Sequence, residues 1–275
     1  MNDLISNTTK LQDHIQEVTG GHILNEPLYP TNMEELEGAS AVLFLLGFMP
    51  GTNGHGPELN LILNKRSQHV RQPGDLCCPG GGISAKFDTA VAKTMALPGL
   101  PMWRWPFWRK IKSRSRREAD TLRLLVSTSI RESFEEMRLN PFGIRFLGPL
   151  PTENLVMFER VIYPMVGWMA RQQNFRTNWE VEKIVAIPLK ALLNPDNYVR
   201  YLLEIRDEGG NHRVYDAPSY VHRTETETEI LWGATCRMTL SFLKLVFDFS
   251  PPALETLPVL EDKMDRTYLN NGNQA

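Results

Sequence analysis

The stretch SIRESFEEMRLN, residues 129–140, sets Glu132, Glu135 and Glu136 at i, i+3 and i+4. On a helix their carboxylates share one face. Like charges at that spacing cost roughly 0.2–0.5 kcal/mol per pair. A hard divalent cation would turn that repulsion into coordination, because Mg²⁺ takes oxygen ligands, keeps several waters and shares a substrate's phosphates. Arg131, one residue before Glu132 and four before Glu135, could clamp a carboxylate bidentately and fix its rotamer. The competing reading is a solvated helix face with Arg131–Glu135 and Glu135–Arg138 ion pairs.

Upstream, CCPGGG at 77–82 places Gly80, Gly81 and Gly82 after a proline. Glycines let backbone N–H groups approach phosphate oxygens closely, though such turns also occur with no ligand. LNKRSQHVRQPGD puts Lys65, Arg66 and Arg71 at a strand end and in the loop after it. They can read anionic groups, or form an ordinary basic strand end.

Together these residues resemble the Nudix box: a glycine loop, an acid, then Arg-Glu-apolar-x-Glu-Glu-x-Gly-apolar. The loop is Gly80-Gly81-Gly82, the acid is Asp88, and the helical part is Arg131 to Leu139. The chain is more specifically similar to the coenzyme A pyrophosphatase branch, through LNKRSQHVRQPGDLCCPGG, EVEKIVAIPLKALL at 180–193 and ILWGATCRMTL at 230–240. The resemblance covers most of residues 39–247. Four departures stand out. Forty-two residues separate Asp88 from Arg131, so about 89–118 is inserted inside the box. Arg138 replaces the box glycine, with Asn140 and Gly143 following; Ser133 replaces an apolar residue; Gln72 stands where the branch often has His.

The resemblance implies an enzyme that hydrolyses a diphosphate joining a nucleoside to another group. Glu132, Glu135 and Glu136 would hold Mg²⁺ or Mn²⁺, Arg131 would orient them, and Lys65, Arg66, Arg71 and Gly80–Gly82 would bind substrate. For coenzyme A or an acyl form the products are 3′,5′-ADP and 4′-phosphopantetheine; ADP-ribose and related diphosphates share the reacting group. The base is either one of the box glutamates or an acid on a later loop, for which Glu153 and the acidic residues of 225–229 are candidates. Trp232 either stacks on a nucleobase or belongs to the core. The alternative from another class is a Nudix-fold binding or regulatory module without turnover.

The composition is that of a globular chain: 275 residues, 42% hydrophobic and 23% charged. A net charge of −2 gives no bulk attraction to nucleic acid, and no nucleic-acid partner is expected. Three cysteines without a ligand pattern, and a start that lacks the order of a signal peptide, point to reduced thiols and a cytoplasmic setting. The longest apolar run, ASAVLFLLGFMP, is about half of what spans a bilayer and reads as a buried strand.

Three groups of elements must position these residues. Strands are expected over AVLFLLGF and LNLILNKRS, then at about 143–149 and 154–164; EVEKIVAIPLKALLNP reads as a strand running into a short helix that Pro195 ends, and a hairpin follows around Gly209 and Gly210. Helices are expected at 8–19, at 119–138 with a stripe of Leu122, Leu125, Val126, Ile130, Phe134 and Met137, and at 233–249. The implied fold is an α/β Nudix-like α/β/α sandwich, a mixed β-sheet between helices, in one domain over 1–249, with a poorly ordered tail at 250–275. Between Met102 and Arg117 the insertion carries seven Arg or Lys, three Trp and no acid. It reads as a lid over the substrate's phosphates, a peripheral membrane contact through 102–117, or a solvated loop or subunit contact such as a homodimer interface.

Overall fold

The computed structural model describes residues 2–25, 36, 38–51, 56–84, 88, 89, 91, 92, 101–155, 160–170, 174–206, 212–264 and 268. Two helices come first, the short α1 (Asn2–Ser6) and the 18-residue α2 (Thr8–Asn25). Then come β1 (Ser40–Met49), β2 (Glu58–Arg66), β3 (Leu76–Cys77) and β4 (Gly80–Gly82). The helices α3 (Pro101–Arg104), α4 (Trp108–Arg114) and α5 (Arg116–Met137) precede β5 (Ile144–Pro149), β6 (Glu153–Leu155), β7 (Arg160–Met169) and β8 (Val181–Pro188). The rest is α6 (Leu189–Leu192), β9 (Tyr198–Arg206), β10 (His212–Arg223), β11 (Thr228–Leu231), α7 (Gly233–Phe247) and β12 (Val259–Met264).

β1 explains the layering. Seven consecutive residues, Ala41 to Gly47, are buried because both faces of the strand are covered. Val42, Phe44 and Leu46 point to one core with Met238, Phe242, Leu243 and Val246 of α7. Ala41, Leu43 and Leu45 point to the other with Leu122, Leu125, Val126, Ile130 and Met137 of α5. The strand's period of two thus divides the apolar run between two helical layers. The first sheet runs β3-β2-β1-β7-β5, with β4 on β1, β6 on β7 and β8 on β2; β1 and β7 are parallel and the other pairs antiparallel. The architecture is the expected mixed α/β sandwich. A second sheet, β11-β10-β9-β12, is an addition to that picture. The strand expected at 154–164 is two antiparallel strands, β6 and β7, and the tip of the hairpin at Gly209 and Gly210 lies outside the described residues.

α5 is set by its ends. Ser115 caps it, its hydroxyl accepting from the Glu118 N–H at 3.3 Å, in a Ser-x-x-Glu arrangement. At the other end Arg138 adopts φ 55° and ψ 37°, the left-handed conformation glycine takes most easily. Its N–H closes the helix on the Ser133 and Phe134 carbonyls. Ser133 is buried, and its hydroxyl donates to the Ser129 carbonyl at 2.6 Å, so the polar residue in the apolar slot is satisfied within the helix. Phe134 departs from the expected stripe: it is 42% exposed and lies under the Arg138 guanidinium, 5.1 Å from ring centre.

Two expectations are corrected. Residues 101–117 are not a solvated loop: Met102, Trp105, Trp108 and Ile111 are buried, with α3 and Trp105 packed on β5 and α4 packed on α5, because the segment's apolar residues recur at helical spacing on one side. The Trp105 indole N–H donates to the Leu147 carbonyl at 3.1 Å. Nor are they a lid, since none of them lines the cavities described below. The tail is ordered through Met264: β12 pairs in parallel with β9, satisfying an edge that would otherwise be open, and Leu257 and Tyr268 are buried. Among the described residues no helix is long and apolar enough to cross a membrane.

Candidate functional site

The short strand β4 lies antiparallel to β1, with Gly80 opposite Val42. Gly80 has φ 152° and packs directly on the Ala41–Val42 backbone, leaving no room for a side chain. This brings its N–H to Glu136, whose Oε2 accepts from Gly80 N at 3.0 Å and from Asn64 Nδ2 at 2.9 Å. Glu136 is buried, and burial pushes its carboxyl up to about 8. The Gly80 N–H opposes that shift, while the charges of Glu132 and Glu180 add to it.

Arg131 is the hub of the helix end. Its Nε donates to Asp88 Oδ1 at 2.6 Å and its Nη2 to Asp88 Oδ2 at 3.3 Å. Nη2 also donates to Glu132 Oε1 at 2.8 Å, and Nη1 to Glu135 Oε2 at 3.1 Å. Asp88 is fully buried and accepts further hydrogen bonds from the Ser84 N–H at 2.7 Å and the Thr128 hydroxyl at 2.8 Å. The acid before the insertion and the arginine after it therefore meet despite the length of chain between them. Burial raises the Glu132 carboxyl, against the opposing charge of Arg131.

A cavity of about 350 Å³ opens over this cluster, lined by Asn64, Arg66, Gly80, Gly81, Gly82, Glu132, Glu136, Arg160 and Glu180 among others. It adjoins one of about 660 Å³, and Arg66, Cys77, Gly80–Gly82 and Arg160 line both. The larger cavity also meets Arg71, Leu76, Leu155, Ile162 and Trp232. Trp232 is buried among Tyr201, Tyr215 and Tyr268, and its indole N–H donates to Asp75 Oδ1 at 3.2 Å. It is a core residue with one edge on the cavity. Burial pushes the Cys77 thiol up to about 12, which removes it as a nucleophile near neutral pH.

The site residues expected from sequence do not all gather here. Glu132, Glu136, Arg66 and the three glycines line the small cavity, and Arg71 lines only the large one. Glu135 is half exposed, held by Arg131, and lines neither cavity. Lys65 is a correction: it alternates with Asn64 and Arg66 along β2 and turns away, pairing with Glu229 at 3.0 Å and Glu182 at 3.8 Å. The base candidates are also elsewhere. Glu153 Oε1 accepts from Arg237 Nε at 2.6 Å, Glu227 pairs with Lys183, and Glu229 pairs with Lys65 and Lys183.

Three residues at the cavity, Asn64, Arg160 and Glu180, escaped sequence reasoning. Asn64 interrupts the apolar pattern of LNLILNK with a polar side chain at a fully buried position, which was a legible signal. Glu180 had none of its own. It arrives because the chain before β8 docks on the end of α5, through Asn178 N–H to the Glu136 carbonyl at 2.9 Å and Arg176 N–H to the Met137 carbonyl at 3.2 Å.

Donor chemistry here suits a hard cation. Glu132, Glu136 and Glu180 offer only oxygen, and among the described residues the buried Asn64 Oδ1 beside Glu136 has no hydrogen-bond partner. Among the described residues no three acidic, histidine or cysteine side chains converge into a closed metal nest.

No family model matches the chain. It is similar to the uncharacterized Nudix hydrolase NudL of Yersinia enterocolitica, 26% identical over 182 residues that cover 65% of this chain and 70% of that protein. The NudL of Pectobacterium atrosepticum is 31% identical over 116 residues, 42% of this chain and 55% of the relative. Among solved structures, a MutT/nudix family protein from Enterococcus faecalis matches with a TM-score of 0.41 and 9% identity, over 88% of this chain and 75% of that one. The Nudix domain of Shewanella oneidensis NrtR, crystallised with ADP-ribose, matches with a TM-score of 0.34 and 17% identity, over 63% and 85%.

Proposed function

We infer that this chain is a Nudix hydrolase acting on a pyrophosphate bond, and we propose coenzyme A or an acyl form of it as the substrate. Similarity to the curated Nudix hydrolases supports the enzyme class. Glu136 carries the inference about the site: a buried carboxylate, tied to the glycine strand, that faces a cavity shared with Glu132 and Glu180. Retaining such acids is costly unless they meet a cation.

Glu132 and Glu136 would hold Mg²⁺ or Mn²⁺, together with waters and the substrate's phosphates. When bound, such a cation supplies neutralisation of phosphate charge and a lower pKa for a water. Arg66 and Arg160, on the walls common to both cavities, face the diphosphate with delocalised positive charge. Gly81 leaves room for the Glu132 carboxylate beneath the glycine strand. Arg131, anchored on Asp88, holds Glu132 at one rotamer, and Asn64 does the same for Glu136. Glu180, on the wall of the same cavity, would take the proton of the attacking water. The larger cavity accepts the remainder of the substrate: Leu76, Leu155 and Ile162 suit an apolar arm, and Arg71 an additional phosphate.

The deciding experiment incubates the protein with coenzyme A, acetyl-coenzyme A and ADP-ribose, each with Mg²⁺ and with Mn²⁺, and identifies the products. Release of 3′,5′-ADP by wild type and its loss in Glu136→Gln is the expected result. Cleavage of ADP-ribose but not of coenzyme A would overturn the substrate. Tight binding of these ligands with no turnover of any would favour the regulatory module.

A further inference from the structure

We propose that residues 101–117 form a docking surface for an anionic phospholipid bilayer. The segment is two-sided. Met102, Trp105, Trp108 and Ile111 point into the core, and Trp103, Arg104, Arg109, Lys110, Lys112, Arg116 and Arg117 point out. Arg114 is taken up internally, by Glu118 and the Ile23 and Leu24 carbonyls. Among the described residues none of the other six cations has a salt bridge with an acid. The positive N-terminus of α5 lies under the same surface.

These charges do not serve the diphosphate site. α5 rises 1.5 Å per residue, so Arg116 and Arg117 sit roughly 22–30 Å along its axis from Glu132 and Glu136. No residue of the segment lines either cavity. A single-stranded nucleic acid would want a groove with several stacking rings, and these outward helix faces border neither of the two cavities described. A flat bilayer needs none. Trp103 is 45% exposed, with the Arg109 guanidinium 5.4 Å from its ring centre, and Lys110 stands 5.4 Å from the ring of half-buried Phe107. An exposed indole with a guanidinium beside it suits the headgroup layer, where the ring sits among glycerol and carbonyl groups and the cations meet phosphates. The inward side chains anchor both short helices to the core, so the surface is preformed.

Each lysine or arginine at an anionic membrane adds roughly a fivefold gain in partitioning. Co-sedimentation of the full chain with vesicles of phosphatidylcholine, with and without phosphatidylglycerol, measures this directly. The expected result is binding to the anionic vesicles only, weakened by salt, with a blue shift in tryptophan emission. Arg109→Glu with Lys110→Glu should cut partitioning by about tenfold or more. Trp103→Ala should abolish most of the emission shift while keeping the wild-type melting transition. Equal binding to neutral vesicles, no binding to either, or the same partitioning by the charge-reversed protein would overturn the proposal, as would binding to a single-stranded RNA oligonucleotide in place of vesicles. Should a variant lose its melting transition, the salt dependence of wild-type partitioning decides alone.

Discussion

Gly81 and Glu132 are in such close approach that a Cβ added at Gly81 would lie 2.6 Å from the Glu132 carboxyl carbon. No side-chain carbon tolerates that distance, so Glu132 would have to leave the position Arg131 gives it. Gly81→Ala is therefore expected to lower kcat by about 100-fold, the scale on which a displacement of about 1 Å acts in a catalytic constellation. Its thermal melting should stay near wild type, because Gly81 lies at the rim of the core. An unchanged kcat would mean that the Glu132 rotamer is unimportant.

The Arg131–Asp88 pair makes a different prediction, about stability. Asp88 is fully buried and the Arg131 side chain is 13% exposed. Removing one partner leaves a largely buried charge uncompensated, which costs about 3–5 kcal/mol. Asp88→Ala should lower the unfolding free energy in denaturant titration by that order, as well as loosening Glu132. Exposed Arg123–Asp120 provides the control: Asp120→Ala should cost well under about 1 kcal/mol.

What could be read in advance follows sequence distance. The three glutamates and Arg131 are neighbours on one helix, and the stripe of α5 has a strong period, so both were legible. Phe134 stands at the margin of that stripe, and the buried Ser133 takes the inward position beside it. Glu180 meets Asn64 through the pairing of β2 with β8 and the docking of the preceding chain on α5, long-range contacts that no local pattern announces. Lys65 was misplaced because a run of basic residues conceals the alternation of the strand beneath it. Proline density hid β12, and dense arginine hid the buried tryptophans of α3 and α4.

Arg138 stands in left-handed backbone, at the position where the Nudix pattern has glycine. For a residue with a Cβ that conformation costs roughly 1–2 kcal/mol. The guanidinium over Phe134 returns roughly 0.5–1 kcal/mol of it. Arg138→Gly should therefore stabilise the protein by about 0.5–1 kcal/mol, seen as a higher melting temperature with little change in activity. A lower melting temperature would show that the Arg138–Phe134 contact outweighs the backbone strain.

Asp75 offers a pH test. It is buried behind the larger cavity, with Tyr268 and Trp232 donating to it. Burial pushes its carboxyl up to about 6, against those hydrogen bonds and the Arg66 charge. The unfolded chain releases this proton near pH 4, whereas the folded protein keeps it to about pH 6. Between those values the folded state binds the extra proton, so raising the pH destabilises it. The contribution is fully present below about pH 4 and is lost as the pH rises through about 6, amounting to at most about 3 kcal/mol. Asp75→Asn should flatten this part of the stability profile, measured by denaturant unfolding from pH 4 upward. Tyr268→Phe removes one donor to the ionised carboxylate and should move the midpoint higher. A profile identical in wild type and Asp75→Asn would show that Asp75 titrates as it does in the unfolded chain.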